Sequence, residues 1–386
     1  MFKKLICTLL VCALLAVLSI SVFATVPENS TVTLSPDMLS AHSAILTDGE
    51  GNVLFQKNER ERMGPASTTK ILTALVAAEM LAPDTKVTIP CDAVGIEGSS
   101  IYLREGEVLS VEQLLYAVLL ASANDAATAL ALFCSGSIEA FCDVMNEKAA
   151  ALGLVDTHFV NPHGLYHDDH YTTAHDLAII ASVVLKNPLL RRIVSTYKTT
   201  VPLGGDEGTR VLVNHNKMLR FYDGAIGVKT GFTKKTGRTL VSAAERDGLL
   251  LIAVTLNAPN DWNDHKALLD YGFANYTCVT LFEEGVAIGT LPVCGGREDY
   301  VALCAKDTVS VVLPKSMTAH TYTVESSGHF LYAPVTSGQE VGRAVCRIGD
   351  RTFEVALTAL SDIPLYTPKK STPFERLLHF FKTDNG

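Results

Sequence analysis

Apolar and polar positions alternate along this chain in two rhythms, and the rhythm switches more than once. Residues 43–46 and 52–56 are apolar-rich runs flanking Asp48-Gly49-Glu50-Gly51, a pattern that predicts a β-hairpin. Large apolar residues at 71, 72, 75, 76 and 80 follow a helical period and predict a helix over 71–81. Residues 111–120, 125–133 and 138–152 predict three more helices, apolar and alanine-rich, of the kind that is buried rather than surface-lying. A further helix is expected over 176–186. After Val194 the pattern turns to strands over 196–202, 209–214, 225–230, 238–244 and 249–256, and a helix over 266–275 closes this part.

From about residue 277 the helical period disappears. Short apolar runs at 300–303, 310–313, 321–324 and 353–357 are separated by Gly, Asp and Pro, which predicts a small all-β domain over 277–366. Residues 367–386 form a short tail in which Phe374, Leu377, Leu378 and Phe381 share one helical face, with Lys369, Lys370, Arg376 and Lys382 nearby. Such a helix, about 15 Å long, predicts weak, salt-sensitive attachment to a membrane surface. The expected fold class is α/β (α+β): a larger domain over 36–276 followed by the β domain.

The N-terminus changes the cellular setting. Met1-Phe2-Lys3-Lys4 is a short basic start, residues 5–20 are apolar, and Val22-Phe23-Ala24 offers small residues where a signal peptidase reads. This predicts a signal peptide over 1–24, cleaved after Ala24, and an exported, extracytoplasmic protein; the alternative is an uncleaved anchor. No other apolar run is long enough to suggest a polytopic membrane protein.

Composition narrows the classes further. With 386 residues, two or three domains are expected. A hydrophobic content of 48% against 19% charged excludes disorder. The chain has 32 Lys+Arg against 41 Asp+Glu, a net charge of −9, which argues against a nucleic-acid partner. Beyond the signal segment the cysteines are Cys91, Cys134, Cys142, Cys278, Cys294, Cys304 and Cys346, an odd set with no CxxC or CxxH spacing. That predicts neither a zinc framework nor a disulfide scaffold, although one pair such as Cys134 and Cys142 is close enough in sequence to bridge.

Three short motifs carry candidate chemistry. The first is Ser67-Thr68-Thr69-Lys70 at a predicted helix start. On a helix, i and i+3 are neighbours, so a lysine there reaches the serine hydroxyl. A serine becomes a nucleophile when a base takes its proton, and a lysine serves if burial or a second cation holds it neutral. The bland alternative is an N-cap serine followed by a surface lysine. Ser195-Thr196-Tyr197-Lys198 has the same spacing but is expected on a strand, where i and i+3 face apart.

The second motif is Ser122-Ala123-Asn124, between two apolar helices. Ser122 suits relay of a proton to a leaving group and Asn124 suits a substrate amide; a simple capping role is the alternative. The third is Lys229-Thr230-Gly231, ending a predicted strand, with Gly231 where a second backbone can approach closely. Lys235-Thr236-Gly237 repeats the letters but falls in an expected turn.

Together and in this order, S-x-x-K, S-x-N and K-T-G resemble the motif set of class A β-lactamases and penicillin-binding proteins. The fuller resemblance is to serine D-alanyl-D-alanine carboxypeptidases, the low-molecular-mass penicillin-binding proteins. Asn161-Pro162-His163-Gly164-Leu165, Thr173-Ala174-His175-Asp176-Leu177-Ala178, the 266–273 stretch and Gly338-Gln339-Glu340-Val341-Gly342 extend it over residues 36–366. It implies a β-lactamase/transpeptidase-like domain, an antiparallel sheet with a helical cluster, followed by a β sandwich.

The resemblance implies that Ser67 attacks the carbonyl between two D-alanines, with Lys70 as its base. It implies an oxyanion hole from the backbone N–H groups of Ser67 and Phe232, and proton transfer shaped by Ser122 and Lys229. Asn124, Thr230 and Gly231 would border the bound peptide, with Thr230 near its terminal carboxylate. The partners implied are peptidoglycan stem peptides ending in D-Ala-D-Ala and β-lactam antibiotics, with no cofactor and no metal. One departure concerns the carboxylate anchor. Many relatives have an arginine where this chain has Asn260-Asp261-Trp262-Asn263-Asp264, which leaves Arg238 and Lys229 as candidates.

Three other readings are weighed. A class A β-lactamase would need a Glu-x-x-x-Asn loop after the second motif, and none occurs between Ser122 and Lys229. A zinc hydrolase would draw ligands from His163, His167, Asp168, Asp169, His170 and His175. A catalytically dead binding protein would lack Ser67 or Lys70, and both are present.

Overall fold

The protein is described by a computed structural model over residues 32–203, 208–317, 321–326 and 328–368. The expected signal segment, and the expected tail from Lys369 onward, lie outside the described residues.

The chain opens with strands β1 (Ser43–Asp48) and β2 (Val53–Lys57), then helix α1 (Lys70–Met80). A two-stranded ribbon, β3 (Lys86–Thr88) with β4 (Val108–Ser110), leads into helices α2 (Val111–Leu119), α3 (Asn124–Ser135) and α4 (Ile138–Ala151). Helices α5 (Ala174–Lys186) and α6 (Pro188–Ser195) follow, then the hairpin β5 (Lys198–Pro202) and β6 (Thr209–Val213). The short helix α7 (Met218–Phe221), strands β7 (Ala225–Thr233), β8 (Gly237–Arg246) and β9 (Leu249–Leu256), and helix α8 (Asp261–Asn275) complete this part.

Five of these strands form one antiparallel sheet in the order β2-β1-β9-β8-β7. Side chains on a strand alternate between faces, and here both faces are covered. Ile45, Ile252 and Val254 join the core beneath the helical cluster. Their neighbours Ala44, Leu46, Leu251 and Ala253 face the other way, towards Leu268 and Leu269 of α8. Burial on both sides is why β9 reads as a near-continuous apolar run rather than an alternating one.

The helical cluster packs through small residues. Ala74 and Ala77 of α1 and Ala126, Ala127 and Ala129 of α3 are all solvent-free. The helix starts are fixed locally. Ser110 and Gln113 form a reciprocal capping box at α2. Thr173 accepts the Asp176 N–H and caps α5.

The remaining strands are β10 (Tyr276–Phe282), β11 (Ala287–Cys294), β12 (Tyr300–Ala305), β13 (Val309–Pro314), β14 (Thr321–Ser326), β15 (Leu331–Tyr332), β16 (Glu340–Ile348) and β17 (Arg351–Ala359). They make a six-stranded sheet, β14-β16-β17-β12-β11-β15, and the pair β10-β13. These strands enclose a core of their own around Val301, Leu303, Ala344 and Leu357.

The structure corrects several expectations. Strand character was expected from 196 onward with nothing assigned to 188–195, but Asn187 and Pro188 start helix α6 there, Asn187 accepting the Leu189 and Leu190 N–H groups. Ser195 therefore ends a helix rather than sitting on a strand. Its hydroxyl donates to the Arg191 and Ile226 carbonyls, and Lys198 is exposed on β5. Strands β10, β11 and β16 were not expected; Gly289 and Pro292 in β11 and Gly342 in β16 interrupt the apolar pattern that marks a strand. The seven cysteines among the described residues are unpaired, Cys134 and Cys142 included, and two of them, Cys91 and Cys294, are exposed.

Candidate active site

Ser67 lies in a single tight helical turn, Ala66–Thr69, that runs directly into α1. The preceding Ala66 is buried with φ at 49°, a left-handed conformation unusual for a residue with a side chain. Lys70 is the first residue of α1 and is entirely buried. Its Nζ is 3.3 Å from Ser67 Oγ, 2.6 Å from Asn124 Oδ1 and 2.6 Å from the His163 carbonyl oxygen.

Those three partners define what the amine does. Asn124 Oδ1 and the His163 carbonyl only accept hydrogen bonds. A neutral amine has two hydrogens, one for each, and its lone pair is then left for the Ser67 O–H. Burial pushes the Lys70 pKa well below the ordinary lysine value, and the charge of Lys229 pushes it further, against a smaller opposing pull from Asp125.

Lys229 is the second buried lysine. Its Nζ donates to Ser122 Oγ at 3.0 Å and to the Thr230 carbonyl at 2.8 Å, and burial lowers its pKa to about 7. Ser122 is buried and has φ at 61°, a sharp turn between α2 and α3 that aims its hydroxyl inward. Asn124 is the first residue of α3. Sequence reasoning gave its amide to the substrate. In the structure its oxygen receives Lys70 and its nitrogen donates to the Glu97 carbonyl, so it seats the lysine. The next residue, Asp125, accepts the Ser100 hydroxyl and the Leu103 N–H, pinning the loop that carries Glu97.

Lys229, Thr230, Gly231 and Phe232 lie on β7, the edge strand of the sheet, which packs against the Ser67 turn. A Cβ on Gly231 would come within 2.9 Å of the Ser67 nitrogen and 2.3 Å of Thr239 Oγ1, so only glycine permits this approach. The three motifs border one cleft of about 360 Å³, with Ser67, Ser122, Thr230, Gly231 and the exposed Phe232 on its walls. Larger hollows lie in the β part around Arg343, beside Tyr197, and beside Leu250 where Cys278 and Ser310 line the wall, but none of them brings a serine and a lysine together, so chemistry rather than volume singles out this cleft.

Sequence reasoning missed several contributors. The His163 carbonyl carried no signal, because any residue has a carbonyl. His215 and Lys217 also line the cleft. Arg238, a candidate from sequence, is on the cleft wall, with Nη2 2.9 Å from the buried Asp261 carboxylate and its guanidinium 5.8 Å from the Trp262 ring centre. The histidine- and aspartate-rich stretch does not gather ligands. His170 points inward to Thr69, His175 contacts Arg60 and Asp176, and Asp168 accepts the Tyr166 hydroxyl. Among the described residues no three His, Cys, Asp or Glu side chains are placed to hold a metal ion.

Residues 30–260 match the peptidase family S11, described as D-alanyl-D-alanine carboxypeptidase. The chain belongs to that family. Residues 276–371 of this carboxypeptidase match the C-terminal domain of penicillin-binding protein 5. It is 34% identical over 355 residues to D-alanyl-D-alanine carboxypeptidase DacF of Bacillus subtilis, a match covering 89% of this chain and 90% of that protein. It is 33% identical over 349 residues to D-alanyl-D-alanine carboxypeptidase DacA of Escherichia coli K12, covering 84% of each. Its fold resembles the crystal structure of penicillin binding protein 5 from Haemophilus influenzae, with a TM-score of 0.67 at 28% identity over 86% of this chain and all of that one. The carboxypeptidase is thus a hydrolase of the penicillin-binding-protein group.

Proposed function

We propose that this carboxypeptidase is exported and removes the terminal D-alanine from peptidoglycan stem peptides through an acyl-serine intermediate. Penicillin would acylate the same serine. The observation that carries this reading is the Lys70 amine, whose two acceptor partners leave its lone pair facing Ser67.

Ser67 Oγ attacks the penultimate D-alanine carbonyl while its proton passes to Lys70 Nζ. The oxyanion forms between the N–H groups of Ser67 and Phe232; one such donor is typically worth about 10²–10³ in rate. As the C–N bond breaks, Lys70 passes that proton through Ser122, which Lys229 holds, to the leaving D-alanine nitrogen and becomes neutral again. Water then attacks the ester and gives a proton to Lys70, which returns it to the Ser67 oxygen as the acyl–oxygen bond breaks. The peptide backbone lies along the open edge of β7, where unpaired main-chain groups suit strand-like pairing.

Arg238 takes the terminal carboxylate. The buried Asp261 orients its guanidinium, and Thr230 is close by on the neighbouring strand, where Gly231 pairs with Thr239. Arg238→Ala is expected to raise KM for the pentapeptide about 10–100-fold, the range for a lost charge-assisted hydrogen bond, with a smaller change in kcat. A C-terminally amidated peptide should be hydrolysed poorly and equally by both proteins. An unchanged KM in the variant would transfer the anchor to Lys229.

A class A β-lactamase reading calls for a carboxylate base that activates the deacylating water; among the described residues the carboxylate lining the cleft is Asp261, already paired with Arg238. The test follows D-alanine release from a stem pentapeptide alongside nitrocefin turnover. Steady D-alanine release with slow, near-stoichiometric nitrocefin opening supports the carboxypeptidase. Rapid multiple turnover of nitrocefin without D-alanine release overturns it.

A further inference from the structure

The chemistry above uses the Ser67 backbone N–H, and something must aim it. Ser67 N and the Ala66 carbonyl belong to one planar peptide group, so fixing the carbonyl fixes the N–H on the opposite side. The Ala66 oxygen accepts the Thr69 hydroxyl at 2.8 Å. Thr69 Oγ1 in turn lies 2.8 Å from Nε2 of His170.

The tautomer of His170 follows from its other nitrogen. Nδ1 accepts the Val160 N–H at 3.1 Å, so it carries a lone pair. A neutral imidazole then has its proton on Nε2, which donates to Thr69 Oγ1 and leaves the threonine hydrogen for Ala66. His170 is almost wholly buried, edge-on to Phe159, and burial lowers its pKa to about 3. It therefore stays neutral, with a fixed proton, at any pH the enzyme would meet. The same loop closes over the carbonyl from Gly164, where a Cβ would come within 1.8 Å of the Ala66 oxygen.

We infer that His170 is a positioning residue which, through Thr69, locks the Ala66–Ser67 peptide plane and so aims the Ser67 N–H into the oxyanion site. Ala66 sits at φ 49°, a conformation that a relaxed chain leaves readily. Without the Thr69 bond the plane can rotate towards commoner angles, and the N–H swings away from the Gly231 backbone beside it. The inference rests on Ser67 being the nucleophile.

The His170 position permits a test by atom placement. Glutamine puts an N–H near the place of Nε2, so His170→Gln keeps the donor to Thr69. Asparagine is shorter: His170→Asn keeps an acceptor for Val160 but does not reach Thr69. Thr69→Val removes the hydroxyl at similar shape, and Thr69→Ser retains it. The measurement is single-turnover acylation of the full chain by benzylpenicillin, resolved into initial binding and the acylation rate constant, with thermal unfolding in parallel.

His170→Asn and Thr69→Val are each expected to slow acylation about 10–100-fold, within the range for a partly misaimed oxyanion donor, with initial binding unchanged. His170→Gln and Thr69→Ser should acylate within a few-fold of the parent. The double variant should be no slower than the worse single one, because both changes break one chain of bonds. Equal acylation by His170→Asn and His170→Gln, or a normal rate in Thr69→Val, overturns the inference while leaving the Ser67 mechanism intact. Peptide mapping of the parent adduct separates the two: an adduct on a residue other than Ser67 removes the mechanism, and this inference with it.

Discussion

Replacing Ser67 by alanine is expected to abolish the benzylpenicillin adduct and to lower D-alanine release by a factor of about 10⁴ or more, the scale seen when the nucleophile of a serine hydrolase is removed. The fold should survive. The Ser67 side chain is half-buried, and the described partner of its hydroxyl is Lys70, which keeps Asn124 and the His163 carbonyl after the change. Intact-mass analysis after benzylpenicillin reads the adduct, and thermal unfolding checks the fold. A persistent adduct in a folded Ser67→Ala variant would show that another residue is the nucleophile.

Lys70→Met is the second large effect. The methionine is of similar length and apolar, but cannot accept a proton. Acylation should fall by about 10²–10⁴, the usual contribution of a positioned general base, with initial binding of penicillin retained. Lys70→Arg should fail as well, because a guanidinium does not give up its proton in a protein. In the parent enzyme, acylation should rise with pH through the lowered Lys70 pKa and then level, since the free amine is the working form. Lys229→Gln removes the neighbouring cation, so Lys70 holds its proton more tightly and this acid limb moves to higher pH. A limb that stays in place would break the link between the two lysines.

The same pair sets a pH dependence of stability. Lys229 titrates near 7 in the folded protein against 10.5 when unfolded. Between those values the unfolded chain binds more protons, so stability rises as pH climbs from about 7 towards 10.5. Lys70, depressed in the same sense, adds to this trend. The fold therefore carries its catalytic lysines at a cost in stability around neutral pH, as expected where function requires a buried, discharged cation.

Much of this protein was legible in its residues. Helical and strand periods located the hairpin at β1 and β2, helices α1 to α5, the sheet strands β7 to β9 and part of the β domain, because burial on one or two faces imposes those periods directly. The three motifs named Ser67, Lys70, Ser122, Asn124 and Lys229 as candidates by residue type and spacing. Amphipathic α6 was missed because its apolar residues run into a β-branched stretch, and β11 and β16 because glycine and proline break their alternation.

Other features depend on where distant segments meet. That Lys70 lies free of solvent, with two acceptors and a lone pair for Ser67, follows from α3 and the 161–170 loop converging on α1. That Arg238 faces Asp261 follows from β8 passing beside the start of α8. The roles of the His163 carbonyl and of His170 could not be read from spacing, because one is a backbone group and the other acts across a hundred residues of chain. Sequence alone determined which chemical groups the protein possesses and which local elements carry them. Tertiary structure decided which of those groups are shielded from water and held within bonding distance, and a lysine becomes a base only under those two conditions.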